Sequence, residues 1–524
     1  MGKAQKIREM IIFEALKQNP QTKEDFLKIE REIIEKFKVP FLINFSDLLK
    51  TYKNLIKKKK ISKNENLEKI FKTSPIRSLS GIVAITLLTK PYPCPGRCLY
   101  CPTVNNLPKS YLPDEPACKR ALENNFDPYK QMVTRLNALK ATGHDTDKIE
   151  LIILGGTWSF YPKNYQRWFL KRCFEGANFR KNSTLEKAQK INEKAKNRIV
   201  GITIETRPDF INPKEIWFLR KLGITRVELG VQAIDENILT INRRDCSLKE
   251  IIEATKLLKN AGFKVTYHMM LNLYGSNPQK DEKMFEELFN NPNFQPDQLK
   301  IYPCVVLKDS LLFKLYSEGK YSPYSQEELI NLLIKIKEKI PPYVRIIRII
   351  RDIPTPDIIA GNKMPNLRQI IEEKMKRENK KCHCLRCREP KDVEIDFKNV
   401  KLIKREYEAS QGKEIFLSFE DIKNDKVLAF LRLRLPTEWT FPFLKESALI
   451  REIHSYGLLA PLKSKSSNVQ HKGLGKKLLE EAEKIVKKET NFKKIFVISG
   501  IGVRQYYRKL GYRLFKTYMM KTLK

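Results

Sequence analysis

The sequence lacks any uninterrupted apolar run of about 18 residues, the length that a membrane-spanning helix requires. Its first segment, MGKAQKIREMIIFEALKQNP, carries only a short apolar patch and predicts an amphipathic helix, not a secretory signal. There is no internal repeat and no low-complexity tract. The ten cysteines do not form the dispersed pattern of a disulfide framework, because six of them fall into two tight clusters. We therefore expect a cytoplasmic protein that binds metal.

Acidic residues are too few to balance the basic ones. The 61 Asp and Glu residues face 100 Lys and Arg residues, which gives a formal net charge of +39. The excess runs along the whole chain, so a polyanion such as RNA or DNA is the expected partner. A lysine-biased genome or a salt-adapted surface is the alternative explanation. The run Lys57 to Lys60 lies in a helical, Lys-rich N-terminal region, which is either a solvated face or an RNA-contacting arm.

Apolar runs of strand length alternate with amphipathic helical segments through the middle of the chain. At 524 residues the chain is long enough for two or three domains. Strand–helix alternation implies parallel strands with crossover helices, so the predicted fold class is α/β with a full or partial barrel. The active site of such a barrel lies at the C-terminal ends of its strands. The predicted strands are 81–88, 149–156, 198–206, 224–232, 264–271 and 297–307, and the predicted helices between them include 164–178, 213–223 and 248–262.

Three cysteines with CxxxCxxC spacing follow the first predicted strand, in the segment PYPCPGRCLYCP. Cys94, Cys98 and Cys101 can ligate three corners of a 4Fe-4S cluster and leave the fourth iron open to chelate S-adenosylmethionine. One electron delivered to the sulfonium then yields a 5′-deoxyadenosyl radical. Tyr100 is expected to pack near the adenine. The alternative is a structural zinc site with a distant fourth ligand, but the loops of such sites do not normally open a βα barrel.

Residues at later strand ends are further candidates for binding this cofactor. Gly155, Gly156 and Thr157 end the second predicted strand, where paired glycines can let the backbone approach the methionyl amino group. The alternative there is a plain tight turn. Glu205 and Gln232 end apolar strands and are expected to face the barrel mouth, unless they cap the helices that follow.

The second cysteine cluster is the segment KCHCLRC, which supplies three thiols within six residues. Cys382, Cys384 and Cys387 predict a zinc site with three cysteine ligands that pins two domains together. His383 cannot easily join its two neighbours on one ion, because adjacent side chains diverge in extended backbone. His268 is a candidate for the fourth ligand. The alternative is three free thiols in a turn.

The C-terminal part contains the segment QHKGLGK, an (R/Q)xxGxG pattern that opens a predicted helix. Successive backbone N–H groups and a helix N-terminus in this arrangement can bind a pyrophosphate. The later segments IFVISG and YYRKLGY follow at the distance found in the GNAT-type N-acetyltransferase fold, which this part resembles. A glycine-rich helix start without a ligand is the alternative. Tyr506 and Tyr507 are both candidates to lie near the thioester. The predicted acetyl-CoA-binding residues are Gln470, His471, Lys472, Gly473, Leu474, Gly475 and Lys476.

Together these motifs resemble the catalytic subunit of Elongator, in its single-chain archaeal or bacterial form, along nearly the whole chain. Local departures occur, such as CPTV after the last cluster cysteine and LNLYG in place of a Pro-rich turn, but none removes a ligand. The segments that carry the resemblance are 80–102, 153–162, 201–209, 226–232, 267–273, 382–389, 451–457, 470–475 and 497–512.

The resemblance implies a tRNA wobble-uridine acetyltransferase that uses a 4Fe-4S cluster, S-adenosylmethionine and acetyl-CoA to make 5-carboxymethyluridine. By matching position it assigns the first cysteine cluster to iron, the second to zinc, and the QHKGLG loop with the tyrosine pair to acetyl-CoA. A radical route is chemically reasonable because the uracil C5–H is unactivated toward an acetyl methyl carbon. The substrate would be the anticodon loop, whose bases cost little to present.

The expected architecture is a radical SAM (βα) partial barrel followed by a GNAT-type domain. An electron donor is required, and a homo-oligomer or accessory subunits are compatible with the sequence. Competing hypotheses are a protein lysine acetyltransferase with a structural iron–sulfur domain, a noncatalytic tRNA-binding scaffold, and another radical enzyme such as a methylthiotransferase. The predicted divisions are a basic helical tRNA-binding region (1–75), a radical SAM domain (76–370), a zinc-binding linker (371–391) and a GNAT-type domain (392–524).

Overall fold

The N-terminal region of the computed structural model is helical. The structure describes residues 3–39, 43–73, 80–391, 395–456 and 473–523. A capping box between Thr22 and Asp25 begins the second helix, since each residue's side chain accepts a hydrogen bond from the other's backbone N–H. Aromatic side chains hold the helices together, and the rings of Phe26 and Phe71 meet edge to face at 5.1 Å. The helices are α1 (Lys3–Gln18), α2 (Lys23–Lys36), α3 (Phe45–Lys57) and α4 (Glu65–Phe71).

The central part of the chain forms a parallel sheet, which confirms the predicted strand–helix alternation. Seven strands pair in the order β1-β2-β3-β4-β5-β6-β8, and β7 pairs with β9 in a separate small sheet. No pairing between β1 and β8 occurs among the described residues, so the barrel is partial, not closed. The predicted strand 297–307 is divided into two strands. The strands are β1 (Val83–Leu88), β2 (Lys148–Leu154), β3 (Arg198–Thr206), β4 (Arg226–Gln232), β5 (Lys264–Leu271), β6 (Gln298–Pro303), β7 (Val306–Leu307), β8 (Arg345–Arg348) and β9 (Ile358–Ala360).

Crossover helices bury their apolar faces in one continuous core with this sheet. None of the helices in the described part of the chain has both the length and the apolar character needed to cross a bilayer. The helices are α5 (Pro116–Glu123), α6 (Pro128–Ala141), α7 (Lys163–Asn178), α8 (Leu185–Asn192), α9 (Pro213–Leu222), α10 (Glu236–Ile241), α11 (Leu248–Asn260), α12 (Pro278–Asn290), α13 (Leu312–Ser317), α14 (Gln326–Lys339) and α15 (Leu367–Arg377).

The C-terminal part forms a second seven-stranded sheet, in the order β10-β11-β12-β13-β14-β16-β15. Only β13 and β14 pair in parallel, and the other neighbours are antiparallel. Its strands are β10 (Val400–Glu408), β11 (Gly412–Asp421), β12 (Lys426–Pro436), β13 (Ser447–Ser455), β14 (Lys494–Val497), β15 (Arg513–Phe515) and β16 (Tyr518–Thr522), and its helices are α16 (Leu474–Glu489) and α17 (Arg504–Arg508).

A buried ionic network joins the two sheets. The guanidinium of Arg451, on β13, donates to Asp297 Oδ2 at 2.8 Å and to Glu414 Oε2 at 2.9 Å. Asp297 immediately precedes β6, so the network links the parallel sheet to the second one. All three side chains are almost completely buried, which makes each charge dependent on its partners. The network therefore fixes the orientation of the two sheets.

Candidate active site

The first cysteine cluster lies in the loop between β1 and α5, at the edge where the parallel strands end. The backbone N–H of Leu99 donates to the carbonyl of Asn242 at 3.1 Å, which ties the loop to the segment after α10. Gly96 is packed closely, because a Cβ there would lie 2.6 Å from Arg207 Nη1 and 3.6 Å from Cys98 Sγ. A larger residue at this position would therefore require the Arg207 guanidinium to move.

The thiols of this loop lie in a positively charged environment. A hydrogen bond from Cys101 lowers the pKa of the Cys98 thiol against the effect of burial, and the charges of Arg244 and Arg207 act in the same direction. Thiolate is the form that ligates iron. Three thiols at a strand end beside two guanidinium groups therefore match the donor chemistry of an iron–sulfur cluster with three protein ligands.

The glycine turn after β2 lies beside the cysteine loop. Gly155 and Gly156 have φ of +136° and +85°, and a Cβ on Gly155 would overlap Thr89 Oγ1. The hydroxyl of Thr157 lies 3.8 Å from Cys94 Sγ. The turn thus has a backbone conformation that favours glycine, and it is in contact with a predicted cluster ligand.

Glu205 faces the barrel mouth within a network of charged side chains. The Tyr111 hydroxyl donates to Glu205 Oε2 at 2.7 Å, and Lys300 Nζ lies 3.5 Å from Glu205 Oε1. Lys300 also donates to the buried Glu228, which shares a hydrogen bond of 2.9 Å with His268 Nε2. Burial would raise the pKa of Glu228, but the charges of Lys300 and His268 hold it well below its usual range.

Gln232 and Tyr100 also line this mouth. Gln232 has φ of +75°, a conformation that glycine adopts more readily, at the end of β4. The hydroxyl of Tyr100 is buried beside the Cys98 thiol, and burial together with that neighbouring thiol raises the pKa of the hydroxyl well above its usual value.

The second cysteine cluster brings three thiols together. The Sγ atoms of Cys382, Cys384 and Cys387 all lie within 4.8 Å of one another. Hydrogen bonds from the other two thiols lower the pKa of Cys384 well below its usual value, and Lys337 Nζ lies 3.8 Å from Cys387 Sγ. His268 belongs to the barrel-mouth network instead, so it is not a neighbour of this triad and its proposed role as fourth ligand is wrong.

The predicted acetyl-CoA loop is partly outside the described residues. Gln470, His471 and Lys472 lie there, whereas Gly473 has φ of +70° and caps the N-terminus of α16, which begins at Leu474. Gly475 and Lys476 follow in the first turn of this helix and line a cavity.

The two tyrosines of α17 both line the cavity, but they differ in exposure. Tyr506 is 40% exposed, and its hydroxyl would lie 3.2 Å from a Cβ placed on Gly475. Tyr507 is only 4% exposed and packs in the apolar core of the second sheet. Burial raises the pKa of both hydroxyl groups. Tyr506 is therefore the more accessible of the two side chains.

A single cavity of about 2100 Å³ connects these regions. It is lined at one end by the cysteine loop and the barrel-mouth network, and at the other by Gly475, Lys476 and Tyr506. Its size is sufficient for more than one substrate-sized molecule. Two chemically different sites therefore open into one shared space.

Three known protein families match successive parts of the chain. The Radical SAM superfamily matches residues 92–288, the Radical_SAM C-terminal domain matches 296–377, and the Acetyltransferase (GNAT) family matches 382–512. The tRNA uridine(34) acetyltransferase of Methanocaldococcus jannaschii is 47% identical over 472 residues, which cover 87% of each chain. The chain belongs to the Elongator catalytic subunit family. Human Elongator complex protein 3 is 38% identical over 471 residues, 86% of each chain.

A solved member of the family has the same fold. The archaeal Methanocaldococcus infernus Elp3 lacking residues 1–46 superimposes with a TM-score of 0.76 at 43% identity, covering 85% of this chain and all of that one. This Elongator-family chain is thus an enzyme of the radical SAM and acetyltransferase type. The radical SAM domain implies a 4Fe-4S cluster and S-adenosylmethionine, and acetyl-CoA fits the GNAT-type domain.

Several charged residues of the site are absent from the set predicted from the sequence. Glu228 and Lys300 are charged residues inside otherwise apolar strands, and this irregularity was a usable signal. Arg207 directly follows the strand that ends in Glu205 and Thr206. Arg244 lies in a loop after α10 and is brought to Cys98 only by the tertiary fold, so no local pattern predicts it.

Proposed function

We propose that this chain converts the wobble uridine of tRNA to 5-carboxymethyluridine, using S-adenosylmethionine and acetyl-CoA. The observation that supports this proposal most directly is a cavity lined both by the cysteine loop and by the N-terminus of α16. A two-carbon unit held by Tyr506 and Gly475 would share this space with the radical source and the base. The relatives named tRNA uridine(34) acetyltransferase support the substrate.

The chain's own residues divide the work between the two ends of the cavity. Cys94, Cys98 and Cys101 would hold a 4Fe-4S cluster, which with S-adenosylmethionine supplies a 5′-deoxyadenosyl radical when bound. Arg207 and Arg244 would compensate the negative charge of the thiolates. Gly155, Gly156, Thr157, Glu205 and Gln232 are proposed to position the cofactor, with Tyr100 beside its adenine.

At the other end, the N-terminus of α16 is proposed to receive the pyrophosphate of acetyl-CoA. Among the described residues no side chain caps the N-terminus of α16, and Lys476 adds a positive charge there. The Tyr506 hydroxyl is proposed to orient the thioester next to Gly475.

Two further parts of the proposal concern metal and RNA. The triad of Cys382, Cys384 and Cys387 is proposed to hold zinc, because three clustered thiols with one depressed pKa suit a thiolate-binding ion. The basic N-terminal helices, including exposed Lys57 to Lys60, are proposed to contact tRNA phosphates. The proposed domain divisions remain 1–75, 76–370, 371–391 and 392–524.

Anaerobic reconstitution tests this proposal directly. The chain, loaded with iron and sulfide and reduced with dithionite, is incubated with tRNA, S-adenosylmethionine and acetyl-CoA, and nucleosides are analysed by mass spectrometry. We expect 5-carboxymethyluridine and 5′-deoxyadenosine, both lost when any component is omitted. Formation of acetyl-lysine on protein substrates by a Cys94, Cys98 and Cys101 triple variant, without uridine modification, would favour the lysine acetyltransferase hypothesis instead.

A further inference from the structure

A carboxylate of the radical SAM half, the part that contains the parallel sheet, forms ion pairs with α17, the helix that carries Tyr506. Glu193 directly follows α8, and its side chain faces α17 of the acetyltransferase half. Arg504 Nη1 donates to Glu193 Oε1 at 3.1 Å, and Arg508 Nη1 donates to Oε2 at 2.6 Å. Both carboxylate oxygens are therefore occupied by guanidinium groups at the two ends of a five-residue helix.

The surroundings of this ionic contact exclude most water. Glu193 and Arg504 are each only 8% exposed. Burial would raise the pKa of Glu193, but hydrogen bonds from Arg508 and Arg504 lower it, so the carboxylate is charged at neutral pH. Removing the charge would leave two guanidinium groups without their shared acceptor, which is costly for the buried Arg504 in particular.

The segment that leads into α17 is fixed to the same half by close backbone contact. A Cβ on Gly500 would overlap the carbonyl oxygen of Val200, and a Cβ on Gly502 would lie 2.6 Å from Arg198 Cβ. Val200 and Arg198 belong to β3, the strand that ends at the barrel mouth. Both ends of the segment 500–508 therefore contact the radical SAM half, Gly500 through β3 and Arg508 through Glu193.

These contacts determine the position of Tyr506. It lies between Arg504 and Arg508 in α17 and reaches toward Gly475, whose helix α16 belongs to the acetyltransferase half. We infer that Glu193 is a positioning residue for the acetyl-CoA site, so that the radical SAM half itself shapes the site in which the acetyl donor binds. This inference rests on the proposed function, because it assumes that acetyl-CoA binds between α16 and Tyr506.

A purely structural interface makes a different prediction from a positioning role. If Glu193 only stabilised the fold, its replacement would lower the melting temperature without a specific change in acetyl-CoA binding. A positioning role instead predicts a local loosening of α17 and a weaker acetyl-CoA complex in a folded protein. The radical SAM chemistry, which depends on the distant cysteine loop, should not change.

The test compares Glu193→Gln with Glu186→Gln in the full chain. Glu186 is an exposed glutamate on α8 that pairs with Arg167 at 2.7 Å, so its variant is a matched control for loss of a surface ion pair. Isothermal titration calorimetry measures acetyl-CoA binding. We expect Kd to rise about tenfold in Glu193→Gln and to stay unchanged in Glu186→Gln, with Glu193→Asp intermediate. Hydrogen exchange should accelerate in residues 500–508 of Glu193→Gln only.

A second variant keeps the test valid if Glu193→Gln does not fold. Arg508→Gln removes one of the two donors to Oε2 and leaves Arg504 and Gln505 bound to the carboxylate, so we expect a smaller rise in Kd from it. Unchanged acetyl-CoA affinity and unchanged exchange in folded Glu193→Gln would overturn the inference, as would an equal loss in Glu186→Gln. Failure of the unmodified chain to bind acetyl-CoA would overturn the proposed function, and the inference with it. Dithionite-driven 5′-deoxyadenosine formation, expected to be equal in all variants, separates these outcomes from a general defect.

Discussion

Gly475 and Tyr506 face each other so closely that a Cβ on the glycine would lie 3.2 Å from the tyrosine hydroxyl. The two residues belong to different helices, α16 and α17, and both line the large cavity. Any molecule that passes the N-terminus of α16 toward the cysteine loop therefore passes this pair. This contact is the proposed position of the acetyl-CoA thioester.

Changes on either side of this contact should have different effects. Tyr506→Phe removes the hydroxyl but keeps the ring, so we expect modified uridine to form at least about tenfold more slowly, with a smaller rise in the acetyl-CoA Kd than in Glu193→Gln. Gly475→Val fills the space in front of the tyrosine and should abolish acetyl-CoA binding. Calorimetry and a nucleoside assay measure the two effects. Equal rates for Tyr506→Phe and the unmodified chain would exclude a role for the hydroxyl.

The assignment of the first cysteine cluster can be tested by spectroscopy. Cys98→Ala removes one of three proposed ligands, so anaerobically purified protein should lose its iron–sulfur absorption and show no uridine-modifying activity. Cys118→Ala is the matched control, because Cys118 is also buried but lies outside both clusters. If Cys98→Ala keeps the absorption spectrum and the activity, the cluster assignment is wrong.

A half-buried histidine beside the cavity, His454, should make stability depend on pH. Burial lowers the pKa of His454 to about 4, although Glu452 opposes the shift. The unfolded chain therefore takes up this proton at a higher pH than the folded one. The stabilising contribution is complete above the ordinary pKa of about 6.5 and is lost as the pH falls through about 4. We expect it to be roughly 1–3 kcal/mol, since the side chain is partly accessible from the cavity.

Urea denaturation of His454→Gln between pH 7.5 and 4.5 measures this contribution. The unmodified chain should lose more free energy of unfolding than the variant as the pH falls. Parallel stability curves for His454→Gln and the unmodified chain would contradict the prediction.

The sequence predicted those features that depend on local patterns. Strand β3 was expected at 198–206 and occurs at Arg198–Thr206. A long apolar run flanked by turn residues is typical of a strand that is buried within a parallel sheet. The glycine turn after β2 was likewise visible, since only glycine readily adopts φ of +136° and +85° there.

Features that depend on tertiary contacts were not predictable. Glu193 and Arg508 are 315 residues apart in sequence, and neither lies in a pattern that predicts their contact. The choice between Tyr506 and Tyr507 could not be made for a similar reason, because both fit the motif equally and only packing in the second sheet buries one of them. The separation of His268 from the second cysteine cluster also required the fold.

The N-terminal lysine run should contribute to tRNA affinity through phosphate contacts. Lys57 to Lys60 are all exposed at the end of α3, so their replacement by alanine should not disturb the fold. For every phosphate contact that the replacement removes, the slope of log affinity against log salt should fall by about 0.7–0.9. Fluorescence anisotropy with labelled tRNA at several salt concentrations measures the slope. Replacement of exposed Lys487 and Lys488, at the end of α16, is the control, and an identical slope for both variants would exclude the arm as a tRNA contact.

The ionic network between the two sheets should be essential for stability. Asp297 accepts from Arg451 and lies near Arg432 and Lys259, and these positive charges hold the pKa of the carboxyl well below its usual range despite burial. Asp297→Asn removes the charge and leaves buried cations uncompensated, so we expect a loss of about 3–5 kcal/mol in the free energy of unfolding. Asp352→Asn, which breaks an exposed pair with Arg348, should cost less than about 1 kcal/mol. Equal losses in urea denaturation would mean that the network does not hold the two halves together.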